Sequence, residues 1–314
     1  MSDTTRVTEA DAGAAAAYGI APEGYRLPAA TALGPVRLQV TDLERSVDYY
    51  GRVLGLRLTR RGGGSATLGA HGDDRSLVEL QEHRDAAPVP MHGRLGLYHF
   101  AILLPTRADL GRLLRHLAEV GERAGASDHH VSEALYLRDP DGLGIEVYAD
   151  RPRSAWATNG RELRMETAPM DAPDLLREAG SASWTGMPAQ TTIGHVHLHV
   201  GDLEQAAAFY HQALGMDKVV WSYPGALFLS AGGYHHHLGL NTWAAGAPPA
   251  GDADAKLLEW TIELPDAESV AAAGDSLAAA GYAAERSADG TVVTRDPWDT
   301  QLRLRVAAAA GREG

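Results

Sequence analysis

The chain has 314 residues, 45% of them hydrophobic, with no cysteine and a formal net charge of −13. A chain of this length can form two domains with real cores. The lack of thiols excludes disulfides and thiolate chemistry, and the acidic balance argues against a nucleic-acid partner. No apolar run reaches the roughly 18 residues of a membrane span, no basic amphipathic helix points to a membrane surface, and the alanine run near residue 14 lacks the basic start of a secretion signal. A cytoplasmic location is therefore expected.

In chain order, residues 1–30 are rich in alanine and glycine and are expected to form a poorly ordered tail. PVRLQV alternates as a strand does. TDLERSVDYYGRVLGL reads as a helix capped by Asp42 and stopped by Gly55. Gly62–Gly64 lacks the strand–loop–helix context of a phosphate cradle and reads as a loop; SLVELQE then returns as a strand. The same order recurs in LYHFAILLP, the helix ADLGRLLRHLAEVGERAG with Thr106 as its cap, and GIEVYAD. Residues 151–192 form a connector. IGHVHLHV and GDLEQAAAFYHQALGM follow, and here the repeat is plain. Asp42, Leu43, Glu44, Tyr50, Leu54 and Gly55 recur 160 residues later as Asp202, Leu203, Glu204, Tyr210, Leu214 and Gly215. LLEWTIELP, ESVAAAGDSLAAAGY and TQLRLRV make a last unit, which shares a late turn (RDPWD) with the second (RDPDG). The chain is thus expected to be α+β, with four βαβββ units at roughly 35–86, 97–149, 193–243 and 257–306, two in a first module (31–150) and two in a second (193–308).

The repeat makes scattered residues comparable. His195 lies seven residues before the cap Asp202, and His99 seven before Thr106. That slot holds Pro35 in the first unit and Glu259 in the fourth. At the far end, Glu146 lies seven residues after Asp139, where the fourth unit has Arg303. The second unit therefore offers His99 and Glu146, and the third offers His195 and His236. Glu79 falls near a ligand-like slot of the first unit, but Pro35 is its partner and no metal is expected there. His195, His197 and His199 share one strand face, which is costly in a core unless a metal or hydrogen bonds satisfy them. Alternation puts His235 and His237 opposite His236, so one of the two sets is expected at solvent or an interface. Two imidazoles and a carboxylate form the facial triad that holds non-haem Fe(II) with open positions for substrate and oxygen. The slots predict one metal where the second and third units face each other, with the first and fourth paired elsewhere.

GLYHFAILLP, HHVSEALYLRDPDGLGIEVYADRPR, IGHVHLHVGDLEQAAAFY and SAGGYHHHLGLN carry a resemblance that covers the chain from about Leu33 to Val306. The chain resembles the vicinal oxygen chelate superfamily of glyoxalases, bleomycin-resistance proteins and extradiol dioxygenases, and within it the catechol 2,3-dioxygenase type. The resemblance implies half-barrel modules of paired units. It also implies an Fe(II) enzyme, with Mn(II) as a second metal the ligands suit, that cleaves a small aromatic diol beside its hydroxyls with O2 to a muconic semialdehyde-type product. A homo-oligomer is compatible with it. By motif, the metal ligands fall on His99, Glu146 and His195, the acid–base histidine on His236, and the active-site tyrosine on Tyr136. A second histidine in the preceding loop falls on His130 or its neighbour His129, with His130 taken as the site residue. The best-known two-domain members draw all three ligands from units three and four, whereas here the ligands are split between the halves, as in members that swap units. Rival readings are another metal-dependent reaction on the scaffold, such as a glyoxalase-like isomerase or hydroquinone dioxygenase, and a metal-free protein that sequesters a ligand.

Overall fold

The computed structural model describes residues 18–90 and 93–308. The first unit comprises β1 (Ala32–Val40), α1 (Leu43–Arg52), β2 (Arg57–Gly62), β3 (Ser65–Gly69) and β4 (Ser76–Glu82). The second comprises β5 (Gly96–Leu103), α2 (Arg107–Glu119), β6 (Gly125–Asp128), β7 (Ser132–Arg138) and β8 (Gly144–Asp150). The connector carries a small hairpin, β9 (Thr158–Asn159) with β10 (Glu162–Leu163), and α3 (Ala172–Glu178). The third unit comprises β11 (Thr192–His199), α4 (Leu203–Ala206), β12 (Asp217–Val220), β13 (Ala226–Ser230) and β14 (Leu238–Asn241). The fourth comprises β15 (Lys256–Leu264), α5 (Ala267–Ala279), β16 (Ala284–Arg286), β17 (Val292–Arg295) and β18 (Gln301–Val306). The helices of the four units are capped as their sequences require: Asp42, Thr106, Asp202 and Asp266 each accept a bond from the backbone N–H three residues on. The repeated helix differs between its copies in one respect: α4 opens into a π-helix over Ala207–Ala213.

The units pair across the halves of the chain. One eight-stranded sheet runs β12-β13-β14-β11-β5-β8-β7-β6, which joins units two and three. The other runs β16-β17-β18-β15-β1-β4-β3-β2, which joins units one and four. The sequential halves 31–150 and 193–308 are therefore not the two sheets; each half gives one unit to each. The junctions are the antiparallel pairs β5–β11 and β1–β15. Leu38, Phe100, Val196 and Trp260, one from the first strand of each unit, are fully buried in a single apolar core that runs through both sheets. Residues one position away point to the opposite, polar face. Within each half the repeated tyrosine ties one sheet to the other, with Tyr50 of unit one donating to Asp139 of unit two (3.1 Å) and Tyr210 of unit three to Asp296 of unit four (2.9 Å). Burial pushes the Asp139 carboxyl up to about 7 and moves Asp296 in the same direction.

Residues 1–17 of the expected tail lie outside the described residues. Residues 18–30 are packed, which corrects that expectation. Leu27 is buried and its N–H donates to Gly215, Arg26 pairs with Asp217 at 2.6 Å, and Ile20 bridges to Lys218. The third unit supplies the partners that the tail lacks locally.

Candidate metal centre

Four strands of one sheet bring the site together. β5 carries His99, β8 carries Glu146, β11 carries His195, and β7 carries Tyr136 directly opposite Glu146. Ile145 and Val147 turn into the core, so Glu146 must face the other way. His99, Glu146 and His195 are all buried, and one potential ligand atom from each lies within 4.8 Å of the others. His99 Nε2 is 3.0 Å and His195 Nε2 3.2 Å from the same oxygen, Glu146 Oε2. Donors bound at about 2.1 Å on adjacent corners of an octahedron lie about 3.0 Å apart, so these spacings fit one metal ion. An unmet polar atom points the same way: buried His99 Nε2 makes no hydrogen bond of acceptable geometry among the described residues.

The electrostatics suit a ligand set. Burial alone would raise the Glu146 carboxyl, but the His195 and His99 rings outweigh it and hold it well below the usual carboxylate range. Burial pushes His99 down against the pull of Glu146, and burial with neighbouring histidines pushes His197 and His236 well down. A divalent ion takes the carboxylate ionised and the imidazoles without their extra protons, so its positive charge would replace that of the rings beside Glu146.

The register also shows which slot is empty. Glu146 pairs with Ala101, two residues after His99; in the third unit the corresponding partner of His197 is Gly239. A Cβ at Gly239 would meet the His197 ring at 2.8 Å. Four slots thus converge, three carry donors, and the fourth is taken up by His197. His236, expected in the last strand of the third unit, lies instead in the turn before β14, three residues ahead of Gly239.

A cavity of about 240 Å³ opens over the three donors. His236 lines it, with its ring centroid 4.1 Å from that of His195. Contrary to strand alternation, His235, His236 and His237 are all buried, because the run lies in a turn and not in a strand. Tyr136 lines the cavity, and burial with the Glu146 charge pushes its phenol well up. Its partner is His129 and not His130. His129 Nδ1 lies 2.7 Å from the Glu166 carbonyl, which can only accept, so Nδ1 carries the proton and Tyr136 donates to Nε2 at 2.6 Å. His130 sits at φ +66° and is exposed beside the Glu166 carboxylate, 3.7 Å away, so the expectation for His130 is corrected to His129. The left-handed residue turns its side chain out of the alternation that sequence reading assumes.

Sequence reading missed one wall. Met165, Glu166 and Thr167 of the connector line the cavity, facing Tyr223, Phe228 and Trp243 of unit three, and Thr167 and Tyr223 are linked at 3.2 Å. No periodic signal marks these connector residues. His197 lines the cavity, and Asn241 bridges it to His199.

The model of the Glyoxalase/Bleomycin resistance protein/Dioxygenase superfamily matches residues 32–147 and 192–305. The chain belongs to this superfamily. It is 45% identical over 271 residues to the catechol-2,3-dioxygenase of Bacillus subtilis (strain 168), covering 85% of this chain and 94% of that protein. A lactoylglutathione lyase of Neisseria meningitidis is 32% identical over 117 residues, 35% of this chain and 83% of that protein. Glyoxalase I from Zea mays shares the fold at a TM-score of 0.52 and 19% identity, covering 88% of this chain and 92% of that one. Within the superfamily the chain is an enzyme of the extradiol dioxygenase type. Among the described residues no helix is long and apolar enough to cross a membrane.

Proposed function

We propose that this enzyme uses Fe(II), with Mn(II) as an alternative, held by His99, Glu146 and His195, to cleave a catechol-type diol beside its hydroxyls with O2, giving a muconic semialdehyde-type product. The observation that carries the reading is the convergence of two imidazoles and one carboxylate on the cavity wall that also holds His236 and Tyr136. Bound there, the metal supplies adjacent open positions and the electron transfer that lets a singlet diol react with triplet oxygen. The protein's own groups handle position and protons. His236 takes a hydroxyl proton from the diol and later returns one. Tyr136, whose proton is directed to His129, offers its oxygen to a diol hydroxyl and orients the ring. The connector wall and Trp243 limit water at the reacting face.

The lining also bears on the ring substituent. Among the described residues that line the cavity there is no lysine or arginine, the carboxylates are Glu146 and Glu166, and the outer walls are Tyr98, Met165, Phe228 and Trp243. An anionic substituent would lose its hydration without a counter-charge, whereas an apolar one gains about 25 cal/mol per Å² of surface buried. The substrate is therefore a catechol with a neutral or apolar substituent. Oxygen uptake and yellow-product formation by the Fe(II)-loaded protein across alkyl-, aryl- and carboxyl-substituted catechols test both parts. Absence of turnover with every catechol would overturn the activity, and preference for the carboxylates would overturn the substituent class. His236→Gln should cut turnover by about 10² to 10⁴ while metal content stays at the wild-type level.

A further inference from the structure

Beside the metal face lies a line of hydrogen bonds that the roles of His236 and Tyr136 leave unexplained. Asp150, the last residue of β8, accepts from His235 at 2.8 Å (Oδ1 to Nε2). His235 Nδ1 in turn lies 2.8 Å from His236 Nδ1. His235 is fully buried, boxed by Tyr148, Trp156 and Tyr234, and Tyr234 also donates to Asp150 at 3.2 Å. The line joins unit two, which carries Asp150, to unit three, which carries both histidines.

We infer that Asp150 and His235 are positioning residues that set the tautomer of His236, so that its Nε2 faces the cavity as a bare lone pair. The inference rests on the reading of His236 as the proton-handling group. A carboxylate can only accept, so the proton of His235 is on Nε2. A neutral imidazole carries one N–H, so His235 Nδ1 is an acceptor. His236 must then donate from Nδ1, and its remaining nitrogen, Nε2, is unprotonated. That nitrogen has no partner among the described residues, while the ring is held between His195 and Phe228 (centroids 4.1 and 5.1 Å) at the cavity wall. When a diol hydroxyl gives up its proton, the O–H bond breaks and an N–H bond forms at His236 Nε2. The positive charge that results is stabilised through His235 by Asp150, as an aspartate stabilises the imidazolium in a serine-protease triad. The opposite tautomer would face the substrate with an N–H and could not accept.

The direct test is ¹⁵N NMR of the histidine rings in the full chain loaded with Zn(II), a diamagnetic metal for the same ligands, with signals assigned by single His→Gln variants. The expected pattern is His235 protonated at Nε2 and His236 at Nδ1. Protonation of His236 at Nε2, or a doubly protonated His235, overturns the inference, whatever the substrate proves to be. Asp150→Asn offers an amide that can donate to His235 and reverse the line. It should lower kcat about 10² to 10⁴-fold, the upper figure being the effect of the same exchange in the serine-protease triad, with KM and metal content unchanged. Asp150→Glu, which keeps a carboxylate, should recover a large part of the loss. Wild-type kcat in the asparagine variant, or loss of its metal, would equally sink the assignment. If the wild type cleaves no catechol, the proposed reaction falls while the NMR pattern still decides the tautomer.

Discussion

The two sheets have the same topology and opposite chemistry at the same positions. In one, His99 on β5 and Glu146 on β8 touch at 3.0 Å. In the other, Glu259 on β15 and Arg303 on β18 occupy the matching places, since Thr261 pairs with Arg303 as Ala101 pairs with Glu146. Arg303 grips Glu259 with two bonds of 2.7 and 2.9 Å, and Gln301 adds a third. Unit one completes that row with Pro35 and Glu79, where the metal face has His195 and Gly239. The contact between the two slots is therefore a property of the parallel strand pair, whatever side chains fill it. A guanidinium satisfies a buried carboxylate fully and leaves nothing for a ligand. Imidazoles satisfy it only in part and keep lone pairs free.

The comparison predicts that damage to the two faces separates into different observables. Glu146→Ala should bring metal from one ion per chain to near zero and abolish ring cleavage, with little loss of stability, because an imidazole, unlike a guanidinium, can give up its charge when its carboxylate is removed. Metal analysis and urea melts check this; full metal retention would break the assignment. Arg303→Ala should do the reverse. It strands Glu259, which is 7% exposed, and should destabilise the fold by roughly 2 kcal/mol, within the range for an orphaned buried polar group, while metal content and turnover hold. Gly239→Ala probes the fourth slot. Its new methyl must push His197 toward the cavity, which should cost roughly 1–2 kcal/mol and slow turnover severalfold without loss of metal.

A further expected effect appears only as a dependence on pH and concerns the aspartates of the two DP turns, Asp139 in one sheet and Asp296 in the other. The unfolded chain releases the Asp139 proton near its ordinary value of 3.8, and the folded chain keeps it until about 7. Between those values the unfolded state binds fewer protons, so stability falls as pH rises and levels off above about 7. Asp139→Asn should flatten that slope. Urea midpoints of both proteins at about pH 5 and about pH 8 would show it, and an unchanged slope would mean that other groups carry the dependence.

Much of this was legible because strands and caps are local. Asp42 and Asp202 cap their helices, Gly55 and Gly215 stop them at positive φ, and the seven-residue spacings place His99, Glu146 and His195 on one face before any fold is known. The split of ligand slots between units two and three also implied which units must pair. What could not be read depends on contacts between segments distant in sequence or on backbone that departs from regular alternation. His130 is turned outward by a left-handed backbone, leaving His129 to meet Tyr136. The histidine run before β14 is a turn, so all three rings are buried where a strand would have turned one set away. Met165, Glu166 and Thr167 line the cavity through the path of the connector, and Arg26 and Leu27 are ordered by the third unit. By itself the sequence determined the repeated units and the donor types, since capping and two-residue alternation act within a few bonds of the chain. Only the tertiary structure decided which wall closes the cavity and which nitrogen of each histidine carries the proton, because a hydrogen bond is settled by whatever partner the fold brings within about 3 Å.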